Sequence, residues 1–286
     1  MFKIYNCVFF LLSFTPLLSQ LPNTDVWLFD IKRSKVGMEL KRPVNITNRV
    51  GYDNQPSFSL DSKKINYVSV REDQQADIYV YAIKKKKTIA FTKTPISEYS
   101  PVTTKDEKFI TSVVVEEDSS QRIHFINAKT YIHEQKIEID SIGYYLFLNN
   151  DTIVYYKLTE PHSLRYYVKS SQEDKWLGNS PIRAIRAVNR YTFIYGIKDS
   201  SSVTFYKYDF RLNKAERYCT YPSTNEDVIW HKTLGLIKSE ETKLLRFDEQ
   251  KKEWQLLFDL KIFGIKKITR FDFDTNNKHL VVVDNL

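Results

Sequence analysis

Glycine supplies only 7 of the 286 residues, cysteine 2 and methionine 2. With so few glycines there is no phosphate-cradling loop, and neither a Gly-x-Ser-x-Gly elbow nor a His-Glu-x-x-His zinc helix occurs. Cys7 lies in an apolar leader and Cys219 stands alone beyond it. One thiol cannot form an internal disulfide, so Cys219 is expected to be an inert residue in or beside a strand. Beyond residue 20 no apolar run reaches the roughly 20 residues that a membrane helix needs, so no span is expected there. The five histidines, His124, His133, His162, His231 and His279, lack ligand-type spacing, and no cofactor or metal site is expected.

The opening stretch has the layout of a secretory signal peptide: Lys3, an apolar segment from Val8 to Leu18, then Ser19. Ser13, Thr15 and Pro16 interrupt it, which argues against a retained anchor. The expectation is a signal peptide at 1–19 and a single domain at 20–286, exported to the periplasm, the outer surface or the medium as a monomer. The formal charge is +8, but the basic residues are scattered. The one dense run, Lys84 to Lys87, lies between two strand-like stretches and is expected at a solvated hairpin tip. Nucleic acid is excluded as a partner for an exported chain; an anionic glycan or lipid head group suits scattered basic charge better.

A repeat organises the rest. "NQPSFSLDSKKINYVS" at 54–69 returns as "EYSPVTTKDEKFITSV" at 98–113, with Pro56 matching Pro101, Asp61 matching Asp106, and Asp77 matching Arg122. One strand type then recurs as "DVWLFD", "DIYVYA", "RIHFIN", "SLRYYV", "VTFYKYD" and "TKLLRFD", at intervals of 39 to 52 residues. The clearest unit carries four short β-branched and aromatic runs, 55–59, 64–70, 77–83 and 87–92, with turn residues between them. In "IYVYAI" both alternating sets are largely apolar, as in a sheet stacked between two others. Four-stranded sheets at this interval predict an all-β fold, a six-bladed β-propeller of antiparallel blades. The chain opens on a third-strand type followed by a fourth near Pro43 to Thr47, and ends on a first and second strand at 268–273 and 279–285. The ring is therefore predicted to close by joining the N-terminal strands (25–47) to the C-terminal strands (268–285).

On these residues the unit resembles the TolB-like propeller repeats of exported bacterial proteins: Ile46-Thr47, then Pro56, Phe58, Ser59, Asp61 and Lys63, then Asp77-Ile78-Tyr79. The match covers residues 44–113 and fades to strand rhythm afterwards. Ser62 and Glu107 stand where the family has its turn glycine, so the turn must either avoid positive φ or carry some strain. The resemblance implies an exported, non-catalytic scaffold that binds a protein or another macromolecule. It leaves out the TolB N-terminal α/β domain, because six blades use residues 25–285.

The residues entering each first strand are the candidate lining of the channel mouth: Tyr52, Asp53 and Gln55; Glu98 and Tyr99; Asp140; Arg183 and Arg186; Glu226 and Asp227; Lys267 and Arg270. Clustering of Asp53, Glu98 and Asp140 would favour a carbohydrate-active enzyme, since glycoside chemistry needs paired carboxylates, or a base with a neutralising cation. Without convergent carboxylates the binding scaffold is favoured, with carbohydrate binding as the alternative. Asp272 and Asp274 are expected to flank the closing turn, and a channel cation held by oxygens has no ligand motif behind it. Substituting Tyr99 and Arg183 is expected to weaken ligand binding with little effect on melting.

Overall fold

The computed structural model describes residues 21–35, 37–222 and 226–286, so the signal-peptide segment lies outside the described residues. The chain enters through β1 (Thr24–Ser34) and β2 (Gly37–Asn45). Blade 1 follows as β3 (Tyr52–Phe58), β4 (Lys64–Val70), β5 (Ala76–Ala82) and β6 (Lys87–Ala90). Blade 2 is β7 (Ser97–Thr103), β8 (Phe109–Val115), β9 (Gln121–Asn127) and β10 (His133–Lys136). Blade 3 is β11 (Ile142–Phe147), β12 (Thr152–Lys157), β13 (Ser163–Val168) and β14 (Glu173–Asn179). Blade 4 comprises β15 (Pro181–Ala187), β16 (Thr192–Lys198), β17 (Val203–Asp209) and β18 (Lys214–Tyr221). Blade 5 comprises β19 (Val228–His231), β20 (Gly235–Glu240), β21 (Lys243–Asp248) and β22 (Glu253–Asp259). The chain finishes on β23 (Ile268–Phe273) and β24 (His279–Asn285).

These strands form six four-stranded antiparallel sheets in a ring, and the closing sheet has the order β2-β1-β24-β23. Within it Val26 pairs with Val283 and Leu28 with Val281, so the two ends of the chain share one ladder. The closing pair is thus the predicted one. The fourth strand of that blade begins earlier than expected, at Gly37, because β1 runs on to Ser34 and Ser34 pairs with Gly37.

Stacking explains why both faces of a strand are apolar. In β5, Ile78 and Val80 pack with Phe91, Ile110 and Ile126 toward blade 2. Tyr79 and Tyr81 pack on the other side with Val26, Leu28, Val281 and Val283 of the closing blade. Each sheet therefore hides its neighbours' faces, and the core is a set of interblade layers in place of one central mass.

The repeated "SxDxK" motif is a turn with repeated bonding. Asp61 Oδ1 accepts from the Lys63 amide over 3.0 Å and from the Ser59 hydroxyl over 2.7 Å. Asp106 does the same with Lys108 and Thr104, at 3.2 and 2.7 Å. Ser62 and Glu107 adopt φ of 58° and 55°, so the turn is left-handed, the region that favours glycine, and accepts the strain of a side chain there. Asn277 takes the same conformation (φ 55°) in the closing blade, behind an Asp274 side chain that accepts from the Lys278 and His279 amides. Lys84 to Lys86 form the exposed turn between β5 and β6, and Lys87 opens β6.

The innermost strands are irregular. Register shifts interrupt β3 between Asn54 and Ser57, β7 between Tyr99 and Val102, β11 between Ile142 and Tyr144, β15 between Pro181 and Ile185, and β23 between Ile268 and Arg270. Gln55 and Ser100 sit in these bulges with φ of 55° and 54°. A bulge bends the strand and re-aims the side chains beside it. Bonds across the bulges join adjacent blades: Gln55 Oε1 accepts from the Ser100 amide over 2.5 Å, and Tyr145 Oη donates to the Ser100 carbonyl over 3.1 Å.

Candidate functional site: the axial channel

A cavity of about 810 Å³ runs along the ring axis. Each innermost strand contributes to its wall: Gln55, Ser100, Tyr144, Arg183, Val228 and Arg270. Leu60, Lys105 and Asn150, in the turns after β3, β7 and β11, form its rim. The volume is of the order that small-ligand sites occupy, roughly 300–1,000 Å³.

Five cationic side chains and three carboxylates line this space: Arg183, Arg186 and Arg270 with Asp227 and Asp272 on the strands, and Lys105, Lys169 and Asp106 in the turns. Arg183 holds Asp227 with two bonds, Nε to Oδ1 at 3.2 Å and Nη2 to Oδ2 at 2.6 Å, and also donates to the Thr269 carbonyl at 3.3 Å. Arg270 donates to Tyr144 Oη at 3.3 Å, with its guanidinium 5.5 Å from the centre of that ring. Arg186 donates to the Ile185 carbonyl at 3.2 Å and is in no ion pair among the described residues. Asp272 accepts from the Phe273 amide at 3.0 Å. Five cations thus face three anions, leaving two positive charges in excess.

Asp272 and Arg186 reach the channel solvent but are packed round by protein, which makes charge costly there. Burial pushes Asp272 up to about 6, with Arg186 opposing. Burial also lowers Arg186, with Asp272 opposing. Burial raises Asp227 against the pull of Arg183 and then Arg270.

Of the residues singled out in the sequence, Gln55, Arg183, Arg186, Asp227 and Arg270 meet in the channel wall. The others are engaged elsewhere. Asp53 is fully buried and paired with Arg49 at 3.0 Å, and Arg49 also donates to the Val70 carbonyl at 3.0 Å. Glu98, also fully buried, accepts from Thr92 and Thr94 hydroxyls at 3.0 and 2.6 Å; burial pushes its carboxyl up to about 7. Asp140 accepts from the Gln121 amide at 2.8 Å. Tyr52 and Tyr99 are half-buried against Val68, Val70 and Ala76, and of these residues Tyr52 alone reaches the wall, its Oη accepting from Gln55 Nε2 at 3.4 Å. Glu226 pairs with Lys198 at 3.2 Å beside a separate cleft that includes Tyr156 and His162. Lys267 is exposed, with its amide donating to Asp284. The carboxylate trio Asp53, Glu98 and Asp140 therefore does not assemble in the cavity.

The channel also contains residues the sequence reading passed over. Tyr144 follows Tyr99 by the repeat interval, which was its available signal. Asp272 was assigned to the closing turn; Asp274 does hold that turn, but Asp272 lines the cavity two residues from Arg270, on the same side by strand alternation. Cys219 is buried on β18 and its thiol is pushed up to about 12 by burial, which leaves it unreactive. Among the described residues no group of three or more His, Cys, Asp or Glu side chains is disposed to hold a metal ion, and no helix is long and apolar enough to cross a membrane.

Neither a family model nor a curated protein matches the chain. Solved structures do. A protein described as TolB from Agrobacterium tumefaciens superposes with a TM-score of 0.65 at 9% identity, covering 93% of this chain and 99% of that one. An oligogalacturonate lyase in complex with manganese gives a TM-score of 0.54 at 10% identity, over 87% of this chain and 82% of that one. A chain of a nidogen/laminin complex gives 0.56 at 6% identity, over 91% and 98%. At such identities the likeness is one of fold, and the fold serves both binding proteins and an enzyme.

Proposed function

We propose that this chain is an exported, non-catalytic binding propeller whose axial channel receives an acidic segment of a protein or other macromolecular partner. The observation that carries this reading is the excess of guanidinium in the channel: Arg186 is in no ion pair among the described residues, and Arg270 is bonded to a neutral phenol. Arginine recognises carboxylates through planar paired hydrogen bonds, and a narrow cavity strengthens such bonds. Asp227, which accepts two hydrogen bonds from Arg183, is placed to fix that arginine and leave the other two for a ligand. The likeness to TolB and nidogen chains supports a binding role, and the A. tumefaciens protein belongs to a group whose repeat pattern recurs here.

The test is fluorescence anisotropy with a labelled hexaglutamate peptide against its glutamine counterpart. Selective, salt-sensitive binding that is lost with Arg186→Ala is expected; equal affinity for the two peptides overturns the reading. A second reading, an acidic-sugar ligand, is favoured by the same arginines beside Asp272 and by the likeness to the oligogalacturonate lyase. Incubation with a uronate oligomer separates them: binding without peptide competition supports the sugar, and ultraviolet absorbance from an unsaturated product would mark elimination chemistry.

A further inference from the structure

Away from the channel, in the outer half of blade 2, His124 on β9 and His133 on β10 face each other. Their Nδ1 atoms are 3.1 Å apart, and the rings lie 5.2 Å between centres at 76°. Behind each ring is a carboxylate. His124 Nε2 lies 2.8 Å from Glu116 Oε1, and His133 Nε2 lies 3.6 Å from Glu98 Oε1. His133 Nε2 is buried with no hydrogen-bond partner among the described residues. Glu116 is itself held by Arg122, by Ser120 at 3.0 Å and by Lys136 at 3.2 Å, while Glu98 is held by Thr92 and Thr94.

A carboxylate behind an imidazole favours the tautomer with the proton on the nitrogen that faces it, which leaves the lone pair on the other nitrogen. For His124 this puts the proton on Nε2 and turns the Nδ1 lone pair into the gap; His133 Nε2, 3.6 Å from Glu98, is outside hydrogen-bond reach, so the His133 Nδ1 is free to present a second lone pair there. Such a gap calls for a cation, either a proton shared between the rings or a metal ion. Metal–nitrogen bonds of about 2.0–2.1 Å at a tetrahedral angle hold two ring nitrogens roughly 3.3 Å apart, close to the spacing found.

We propose that His124 and His133 form a two-histidine site for a divalent transition ion of the zinc and copper class, with His124 oriented by Glu116 and the site completed by water or a small solute. Imidazole ligands select ions of this class over magnesium or calcium. Both side chains keep some contact with solvent, at 12% and 21% exposed. Because Arg122 and Lys136 already neutralise Glu116, that carboxylate acts by positioning the ring and not as a ligand. A bound ion would staple the short outer strand β10 to β9. This inference is independent of the channel.

The test is calorimetric titration of the full chain with zinc sulfate in a non-chelating buffer at neutral pH. One equivalent is expected to bind, with at least a tenfold loss in His124→Asn and in His133→Asn, and a loss of about 10–100-fold in Glu116→Gln. The complex of the unaltered protein with copper(II) should also show two nitrogen couplings by electron paramagnetic resonance, a readout that does not depend on any variant folding. Absence of binding at millimolar zinc would assign the gap to a shared proton alone. That result, or affinity unchanged in the histidine variants, or a copper spectrum without nitrogen coupling, overturns the proposal.

Discussion

Arg270 and Tyr144 lie on innermost strands of opposite blades, the closing blade and blade 3, yet they share a hydrogen bond of 3.3 Å across the channel. The bond joins a charged donor to a neutral acceptor, and an incoming carboxylate would displace the phenol because it adds a negative charge and a second parallel hydrogen bond to the guanidinium. Replacing Arg270 by Ala should weaken binding of the acidic peptide about tenfold or more, as expected for the loss of a hydrogen bond to a charged group. Tyr144→Phe should preserve or tighten it, since the guanidinium is then released. Anisotropy titrations of the two variants decide this, and undiminished affinity in Arg270→Ala would remove the channel as the binding site.

Arg183 stabilises the fold as well as facing the ligand. Asp227 is 7% exposed, so Arg183→Ala takes the paired guanidinium away from a buried carboxylate at a cost of about 3 kcal/mol. The melting temperature should therefore drop, contrary to what the sequence alone suggested for this position. Removing both charges in an Arg183→Met/Asp227→Leu pair should recover most of the loss. Calorimetric melting of the two variants checks this; equal destabilisation in both would show that the ion pair is not the cause.

Asp272 gives the channel a pH dependence. Its carboxyl is raised to about 6 in the folded protein, above the usual value near 3.9 of an unfolded chain. A raised acid contributes stability that is complete below about 3.9 and is lost as pH rises through about 6. Asp272→Asn should then be more stable than the parent above pH 6, by about 2 kcal/mol, and the two should converge near pH 4. Acidification also removes one anion from the wall, so affinity for the acidic peptide should rise several-fold between pH 7.5 and 5. A flat profile would mean that Asp272 is ionised throughout.

Deleting residues 279–286 removes β24, the strand between β1 and β23. Leu280, Val281, Val282 and Val283 are fully buried. Burying such side chains contributes about 1.5–3 kcal/mol each, a sum comparable with the whole stability of a domain, about 5–15 kcal/mol. The truncated protein should show no cooperative melting transition near that of the intact chain. An unchanged melting temperature would contradict a ring held by its ends.

The fold was legible because its determinants are local and repeated. Alternation in "DIYVYA", the Ser-x-Asp-x-Lys turn and the unpaired half-units at each end all survive in a single sequence. The wall of the channel was less so, because it depends on bulges. Asp53 and Glu98, equivalent positions in successive blades opposite Ser69 and Val114, precede the register shifts and turn into protein. Gln55 and Ser100 sit within the shifts and line the cavity. Period-two reasoning cannot see an inserted residue, so it assigned Asp53, Gln55 and Glu98 to the same surface and passed over Ser100. Arg270 and Asp272, which follow their bulge on regular strand, kept the alternation that marks them as neighbours.

The ladder between Val26 and Val283 also governs the order of events at birth. During synthesis β1 is made among the first strands and must stay without its partner while the five intervening blades are completed. Such distant pairing is slow to form and leaves an open strand edge able to capture other chains meanwhile. Ribosome stalling near the 3′ end of the message would thus release a nearly full-length polypeptide that is prone to aggregate.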